Sequence, residues 1–346
     1  MVIVMDETAS EEQISNVIDK VVRLGFDIYR ITGMLQTLLG VVGERIVDLR
    51  DIEMLAGVKR VIRITTPYKL ANRSFNPEGT VIEVGGVTIG GPEVVVMAGP
   101  SMIEDRDQLM RIAEIVARGG AKVLRAGAFA SPESLYSQAG PGEKGLRHLR
   151  EAASRFGLLA LSEVYDSGQV PVAAGYADLL VMGAGVASNP DMLGQAGLLN
   201  IPVIIKRGTA ATIEETLIAA DRVMLGGNQR VIINESGIRT FEPYLRKTLD
   251  ISAVPIIKKL SHLPVVASPS DATGRRDKVP PMAQAAVAAG VDGLLIDVHH
   301  DPQNARADGG QALPPDQFDS LMRRLSLIAR AVERVIPAPA VSATGG

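Results

Sequence analysis

Eight short apolar runs between residues 92 and 298 each close on a polar residue or a glycine: Ser101, Arg125, Glu163, Gly183, Lys206, Glu235, Asp271 and Asp297. Lys206 closes PVIIKRG. It could hold an anion, or it could form a Schiff base if a dry pocket lowered its pKa. Glu163 could serve as general acid or base, or pair with Arg125 or Lys206. His299 lies two residues past Asp297 and reads first as a structural hydrogen-bonding group.

Groups scattered over 200 residues can share a site only if the fold gathers them. The runs are VVVMAG (94–99), KVLRAG (122–127), LLALSEV (158–164), DLLVMGA (178–184), PVIIKRG (202–208), RVIINES (230–236), PVVASPS (264–270) and DGLLIDV (292–298), with helical stretches between them. Eight buried parallel strands alternating with helices predict a closed (β/α)8 barrel over 92–336, whose chemistry sits at the C-terminal strand ends. Residues 1–66 read β-α-β-β-α-β, a ferredoxin-like α+β domain suited to regulation or assembly. Its strands are expected at 2–6, 26–31, 37–42 and 58–65, turning at Gly33, with a short helix near 52–55. Ser10 can cap its first helix, which carries Ile14, Val17, Ile18, Val21 and Val22 at helical spacing. Residues 67–91 read as a linker ending in a hairpin, and 337–346 as a disordered tail.

Composition narrows the function classes. The formal charge of -3 gives no electrostatic footprint for nucleic acid or an anionic membrane. There is no cysteine, hence no thiolate ligand or cysteine nucleophile. No apolar run reaches the ~18 residues of a membrane span. The start MVIVMDETASEEQ turns acidic too early for a signal peptide, so a cytoplasmic protein is expected.

Several stretches resemble the DAHP synthases of the shikimate pathway, in the subclass with an N-terminal ferredoxin-like domain. They include AGPSMIED (98–105), LRAGAFASPESLYSQAGPGEKGL (124–146), GIRTFE (237–242), TLDISAVPIIKKLSHLP (248–264), PSDATGRRDKVPP (269–281) and DVHHDPQNARADG (297–309). The resemblance implies condensation of phosphoenolpyruvate with the aldehyde of erythrose 4-phosphate. A divalent metal would polarise the aldehyde, and arginines and lysines would hold the phosphates and the carboxylate. It also implies a homo-oligomer, dimer or tetramer. Its first domain would bind a small effector such as an aromatic amino acid, or shield the barrel mouth.

Residue by residue, the resemblance places the metal ligands at Ser101, Asp271, Asp297 and Asp308, of which only Asp308 keeps the family's residue type. An all-oxygen set favours Mg²⁺ or Mn²⁺ over zinc or iron, and the alternative is no metal at all. Family cations fall on Ala130, Pro132, Gly185 and Ser236, while Arg125, Lys206 and Arg239 keep theirs. The catalytic candidates are Lys206, Arg125 and Glu163, and the candidate substrate contacts are Arg125, Lys206, Glu235 and Arg239. Three functions stay open. The reading favoured by the departures is aldol-type carbon–carbon bond formation or cleavage on a 2-oxo acid, inefficient with phosphoenolpyruvate and erythrose 4-phosphate. The others are a genuine DAHP synthase, and a catalytically silent homologue that binds a partner.

Overall fold

The computed structural model describes residues 1–32, 37–43, 48–131, 140–183, 185 and 189–337. The expected turn at Gly33, Pro132 and Glu133 of the anion segment, and all but Pro337 of the expected tail lie outside them. Two compact units result, Met1–Thr80 with Lys258–Leu263, and Val81–Ile257 with Pro264 onward.

In the first unit, strands β1 (Val2–Met5), β2 (Asp27–Thr32), β3 (Thr37–Val42) and β4 (Val58–Ile62) form one antiparallel sheet in the order β2-β3-β1-β4. Helices α1 (Glu11–Arg23) and α2 (Arg50–Glu53) supply the crossovers, completing the ferredoxin-like plan. Ser10 and Gln13 form a capping box at the start of α1, a device worth about 1 kcal/mol. Only part of the expected stripe is inside. Ile14, Val17 and Val21 are buried against Ile3, Met5, Leu39 and Val41, Ile18 packs partly buried at the edge, and Val22 is 53% exposed. A helix this short resting on one sheet buries a single narrow face. Residues 67–80, expected as linker, belong to this unit. Phe75 is fully buried over Gly40, where any Cβ would lie 1.6 Å from its ring.

The second unit is the expected barrel. Strands β7 (Val95–Gly99), β8 (Val123–Arg125), β9 (Leu159–Val164), β10 (Leu179–Met182), β11 (Val203–Lys206), β12 (Val231–Glu235), β13 (Val265–Ala267) and β14 (Gly293–Asp297) close in chain order, with β14 pairing parallel to β7 from Gly293↔Val95 to Asp297↔Gly99. Helices α3 (Arg106–Arg118), α4 (Gly142–Arg155), α5 (Gln169–Ala174), α6 (Pro190–Gly197), α7 (Ile213–Leu225), α8 (Ala253–Leu260), α10 (Val279–Ala288) and α11 (Pro315–Ala331) follow the strands. A short extra helix, α9 (Pro269–Thr273), follows β13 directly.

The inward positions at the lower barrel are apolar: Met97, Val123, Leu161, Val181, Ile204, Ile232 and Val266 share one buried cluster. A hairpin, β5 (Ile82–Val84) and β6 (Val87–Ile89), adds Ile82 and Ile89 to that cluster. Its turn is Gly85-Gly86, φ +50° and +80°, the conformation that a two-residue hairpin loop demands of both central residues. The bottom of the barrel is thereby filled, and any open space is left at the other end.

Candidate active site at the barrel mouth

Strand alternation decides what faces the mouth. Above the apolar layer, the next inward position is Arg125 on β8, Glu163 on β9, Lys206 on β11, Asn234 on β12 and Asp297 on β14, all lining a cavity of about 830 Å³. Gly99 shapes the β7 side. At φ +154°, a Cβ there would sit 2.1 Å from the Arg125 carbonyl oxygen, so only glycine lets β7 and β8 lie so close. Asp271 enters from α9 and Asp308 from the loop after β14, while Ser101 and Arg239 complete the set of expected residues on the cavity wall.

Glu235 is the correction. It is adjacent in sequence to the inward Asn234, so the two-residue period turns it to the outer face of the barrel. There it is fully buried and ion-paired to Arg207 at 2.8 Å, and its Oε1 accepts the Gly237 amide at 2.8 Å. Burial raises its pKa, and Arg207 opposes that rise. His299 is likewise structural. It is 4% exposed, its Nε2 lies 3.1 Å from Gln108 Nε2, and its Nδ1 accepts the Asp301 amide.

The charges at the mouth are arranged in pairs. Lys206 Nζ lies 3.1 Å from Glu163 Oε1 and 3.0 Å from Asp271 Oδ2. Burial would lower the pKa of this lysine, but Glu163 and Asp271 outweigh it and raise it above the ordinary value. A neutral amine is the form that attacks a carbonyl, so this geometry speaks for a permanent cation and against a Schiff base. A second ammonium, that of Lys247, lies 3.3 Å from Asp271 Oδ2. Burial would raise the pKa of Asp271, yet the two lysines hold it down at about 2. Arg125 is ion-paired with Asp297 and lies 3.9 Å from Glu163. The other oxygen of Asp297 accepts Gln311 Nε2 at 2.5 Å. Asp308, at φ +52°, accepts Ser101 Oγ at 2.6 Å and Arg246 at 3.0 Å.

Arg246, Lys247, Asn234 and Gln311 escaped the sequence reading. Asn234 was legible, two residues beyond the inward Ile232. Arg246 and Lys247 were not, because they sit in a segment without regular structure and hence without periodicity. With them the wall carries, among the described residues, five cations (Arg125, Lys206, Arg239, Arg246, Lys247) and four carboxylates (Glu163, Asp271, Asp297, Asp308). Among the described residues the Arg239 side chain has no ion-pair partner, and Asn234 Nδ2 is buried with no hydrogen-bond partner. Excess positive charge and an unsatisfied donor in one cavity describe a receptor for an anion.

The residues present do not fit a divalent metal. Among the described residues no three His, Asp or Glu side chains converge as donors. Ser101 donates to Asp308, Asp297 is held by Arg125 and Gln311, and Asp271 by two ammoniums. A doubly charged ion about 4 Å from one ammonium would meet roughly 8 kcal/mol of repulsion at an effective dielectric near 20.

A closed α/β barrel with a charged mouth above a filled core, joined to a ferredoxin-like domain, defines the class of protein: an enzyme-type barrel with an appended small domain. Comparison with known proteins makes the class specific. Residues 69–332 match the DAHP synthetase I family and residues 1–66 match the DAHP synthase ferredoxin-like domain, so the chain belongs to the DAHP synthase family, a family of aldolase-type transferases. It is 41% identical over 333 residues to the phospho-2-dehydro-3-deoxyheptonate aldolase of Thermotoga maritima, covering 96% of this chain and 98% of that one. The 2-dehydro-3-deoxyphosphooctonate aldolase of Syntrophobacter fumaroxidans is 31% identical over 268 residues, covering 72% and 92%. The crystal structure of the Thermotoga maritima DAHP synthase superposes with a TM-score of 0.77 at 40% identity, covering 97% and 98%. Among the described residues no helix is long and apolar enough to cross a membrane.

Proposed function

We propose that this chain is a DAHP synthase in activity as well as in family: it joins phosphoenolpyruvate to erythrose 4-phosphate. In that reaction C3 of phosphoenolpyruvate bonds to the aldehyde carbon, water enters at C2, and phosphate leaves. The observation that carries the reading is the wall of five cations against four carboxylates among the described residues. Three of those cations were legible in sequence, and three alone would be too few for two phosphates and a carboxylate. Arg246 and Lys247 add two more cations to that wall. Full-length likeness to a phospho-2-dehydro-3-deoxyheptonate aldolase supports the same reading. In this reading Lys206 and Arg125 serve beside the reacting atoms, and Arg239, which has no ion-pair partner among the described residues, suits the phosphate of the sugar.

A second reading keeps the chemistry and changes the substrates, as the departures in sequence first suggested. What favours it is the closed pairing of Lys206, Lys247 and Asp271, which leaves these lysines less charge to offer a phosphate. One experiment separates the two. Purified protein is mixed with phosphoenolpyruvate and erythrose 4-phosphate, with and without Mn²⁺, and loss of the enolpyruvate absorbance is followed. Turnover of about one per second or faster, at the low end of ordinary enzymes, is expected for a DAHP synthase. If phosphoenolpyruvate is consumed only with other aldehydes, the second reading replaces the first. If neither it nor any aldehyde stabilises the protein, the chain is a silent homologue.

A further inference from the structure

We propose that the mouth works without a divalent metal, and that the ammonium groups of Lys206 and Lys247, clamped on Asp271, supply the positive charge at which the aldehyde oxygen is polarised. The catalytic half of this statement rests on the condensation proposed above, and the metal-free half stands by itself.

The argument begins with what the carboxylates already hold. A metal-binding carboxylate keeps its oxygens for the ion, whereas Asp271 gives Oδ2 to Lys206 at 3.0 Å and to Lys247 at 3.3 Å, and Oδ1 to Lys247 at 3.4 Å. Both lysines are nearly inaccessible, Lys206 at 9% and Lys247 at 6% exposure. Buried ammoniums are held by a neighbouring carboxylate, so an ion drawing on Asp271 would compete with two ammoniums for it and leave Lys206 with Glu163 alone of its two carboxylates. Arg246 reaches Asp308 at 3.0 Å and Asp271 at 3.9 Å, setting a guanidinium between the two carboxylates that would have to share the ion. Ser101, a neutral alcohol, spends its proton on Asp308. Each of the four positions is therefore committed to another bond.

The same arrangement can do what an ion would do. As the new carbon–carbon bond forms, the carbonyl π pair moves onto the aldehyde oxygen, which then takes a proton from solvent. Cations fixed in place before the reaction stabilise that developing charge without reorganising. Lys247 is the distinctive member, because it stands outside the catalytic and substrate contacts expected from sequence.

The test uses the full-length chain. Metal content is measured on the protein as purified, and Mn²⁺ alone is titrated while the free ion is followed by electron paramagnetic resonance. The expected result is metal far below one equivalent, no saturable Mn²⁺ site, and a Tm unmoved by EDTA. A bound ion at about 100 times its dissociation constant would raise Tm by several degrees, so a near-stoichiometric metal, or a Tm lowered by EDTA, would overturn the proposal. Where the wild type turns over, EDTA should leave the rate unchanged, and Lys247→Met should lower kcat by ~10² or more with a smaller change in KM for phosphoenolpyruvate. A rate abolished by EDTA, or a Lys247→Met rate equal to wild type, would defeat it. If the wild type does not turn over, the proposed condensation fails, and metal content and Mn²⁺ binding still decide this inference.

Discussion

His262 in the first unit and Lys206 in the barrel are both buried ionisable groups, and they end in opposite states. His262 is 4% exposed, and its hydrogen-bond partners are neutral: Nε2 lies 2.6 Å from the Leu70 carbonyl oxygen and Nδ1 2.7 Å from the Thr80 hydroxyl. Burial wins there, pushing its pKa down to about 4, with the Leu70 carbonyl opposing and the Arg73 charge adding to the fall. The ring stays neutral, donating to Leu70 and accepting from Thr80. Lys206 is buried as well, but carboxylates at 3.0 and 3.1 Å keep it charged. Two unit charges about 4 Å apart gain roughly 4 kcal/mol at an effective dielectric near 20, enough to reverse the effect of burial. Burial sets the direction for a group with neutral partners, and an opposite charge within bonding distance overrides it.

The largest expected effect comes from breaking the charged side. Lys206→Met leaves Glu163 and Asp271 facing less positive charge, although Arg125 and Lys247 remain near them. It should lower turnover by ~10²–10³ and destabilise the fold by about 3 kcal/mol. Steady-state kinetics and urea denaturation check both numbers. A stable variant with an unchanged rate would mean that the pairing is decorative.

Acid should dismantle the two regions in sequence. Unfolded histidine takes up its proton below about 6.5, whereas His262 resists protonation until about 4. The unfolded chain therefore binds more protons in that window, and stability falls as pH drops from 6.5 to 4, by about 3 kcal/mol. Asp271 acts later. With its pKa lowered from 3.8 to about 2, its stabilisation is complete above pH 4 and is lost as pH falls through 2, costing about 2 kcal/mol more. Urea midpoints by circular dichroism at pH 7, 5, 4 and 3 should fall in two stages, and His262→Gln should remove the first. Midpoints that stay level between pH 7 and 4.5 would break the comparison.

The smallest effect sharpens it with a neutral group whose amide nitrogen has no partner among the described residues. Asn234 Nδ2 is buried and unbonded, while Oδ1 accepts Ser268 Oγ at 3.0 Å. Asn234→Leu keeps the branched outline, removes the unsatisfied donor and takes the acceptor from Ser268, two effects of similar size and opposite sign, so stability should stay within about 1 kcal/mol of wild type. Phosphoenolpyruvate binding, read by thermal shift, should weaken about tenfold if that donor awaits a substrate oxygen. Unchanged binding would show that the donor serves no ligand.

Much of this molecule could be read from its residues in order. Largely apolar runs of six or seven separated by helical stretches admit few folds, and all eight expected barrel strands formed, trimmed at their ends where backbone leaves the sheet. Eight of the nine expected site residues reached the cavity wall because each lies at or beyond the end of a strand. The ninth, Glu235, failed by a single step of the two-residue period. The expected linker failed differently, since nothing local announces that Phe75 will fill the space over Gly40.

The sequence by itself determined the barrel, the ferredoxin-like sheet and the list of charged residues at the strand ends, because periodicity and chain order are local properties of a chain. Which charge meets which was left to the tertiary structure. Lys206 and Asp271 lie 65 positions apart, and Lys247 joins them from a segment with no regular structure. Whether these groups would gather round an ion, a substrate or one another depends on distances of about 3 Å. Only barrel closure and the loops folded over its mouth set distances that fine, and they joined Asp271 to two lysines.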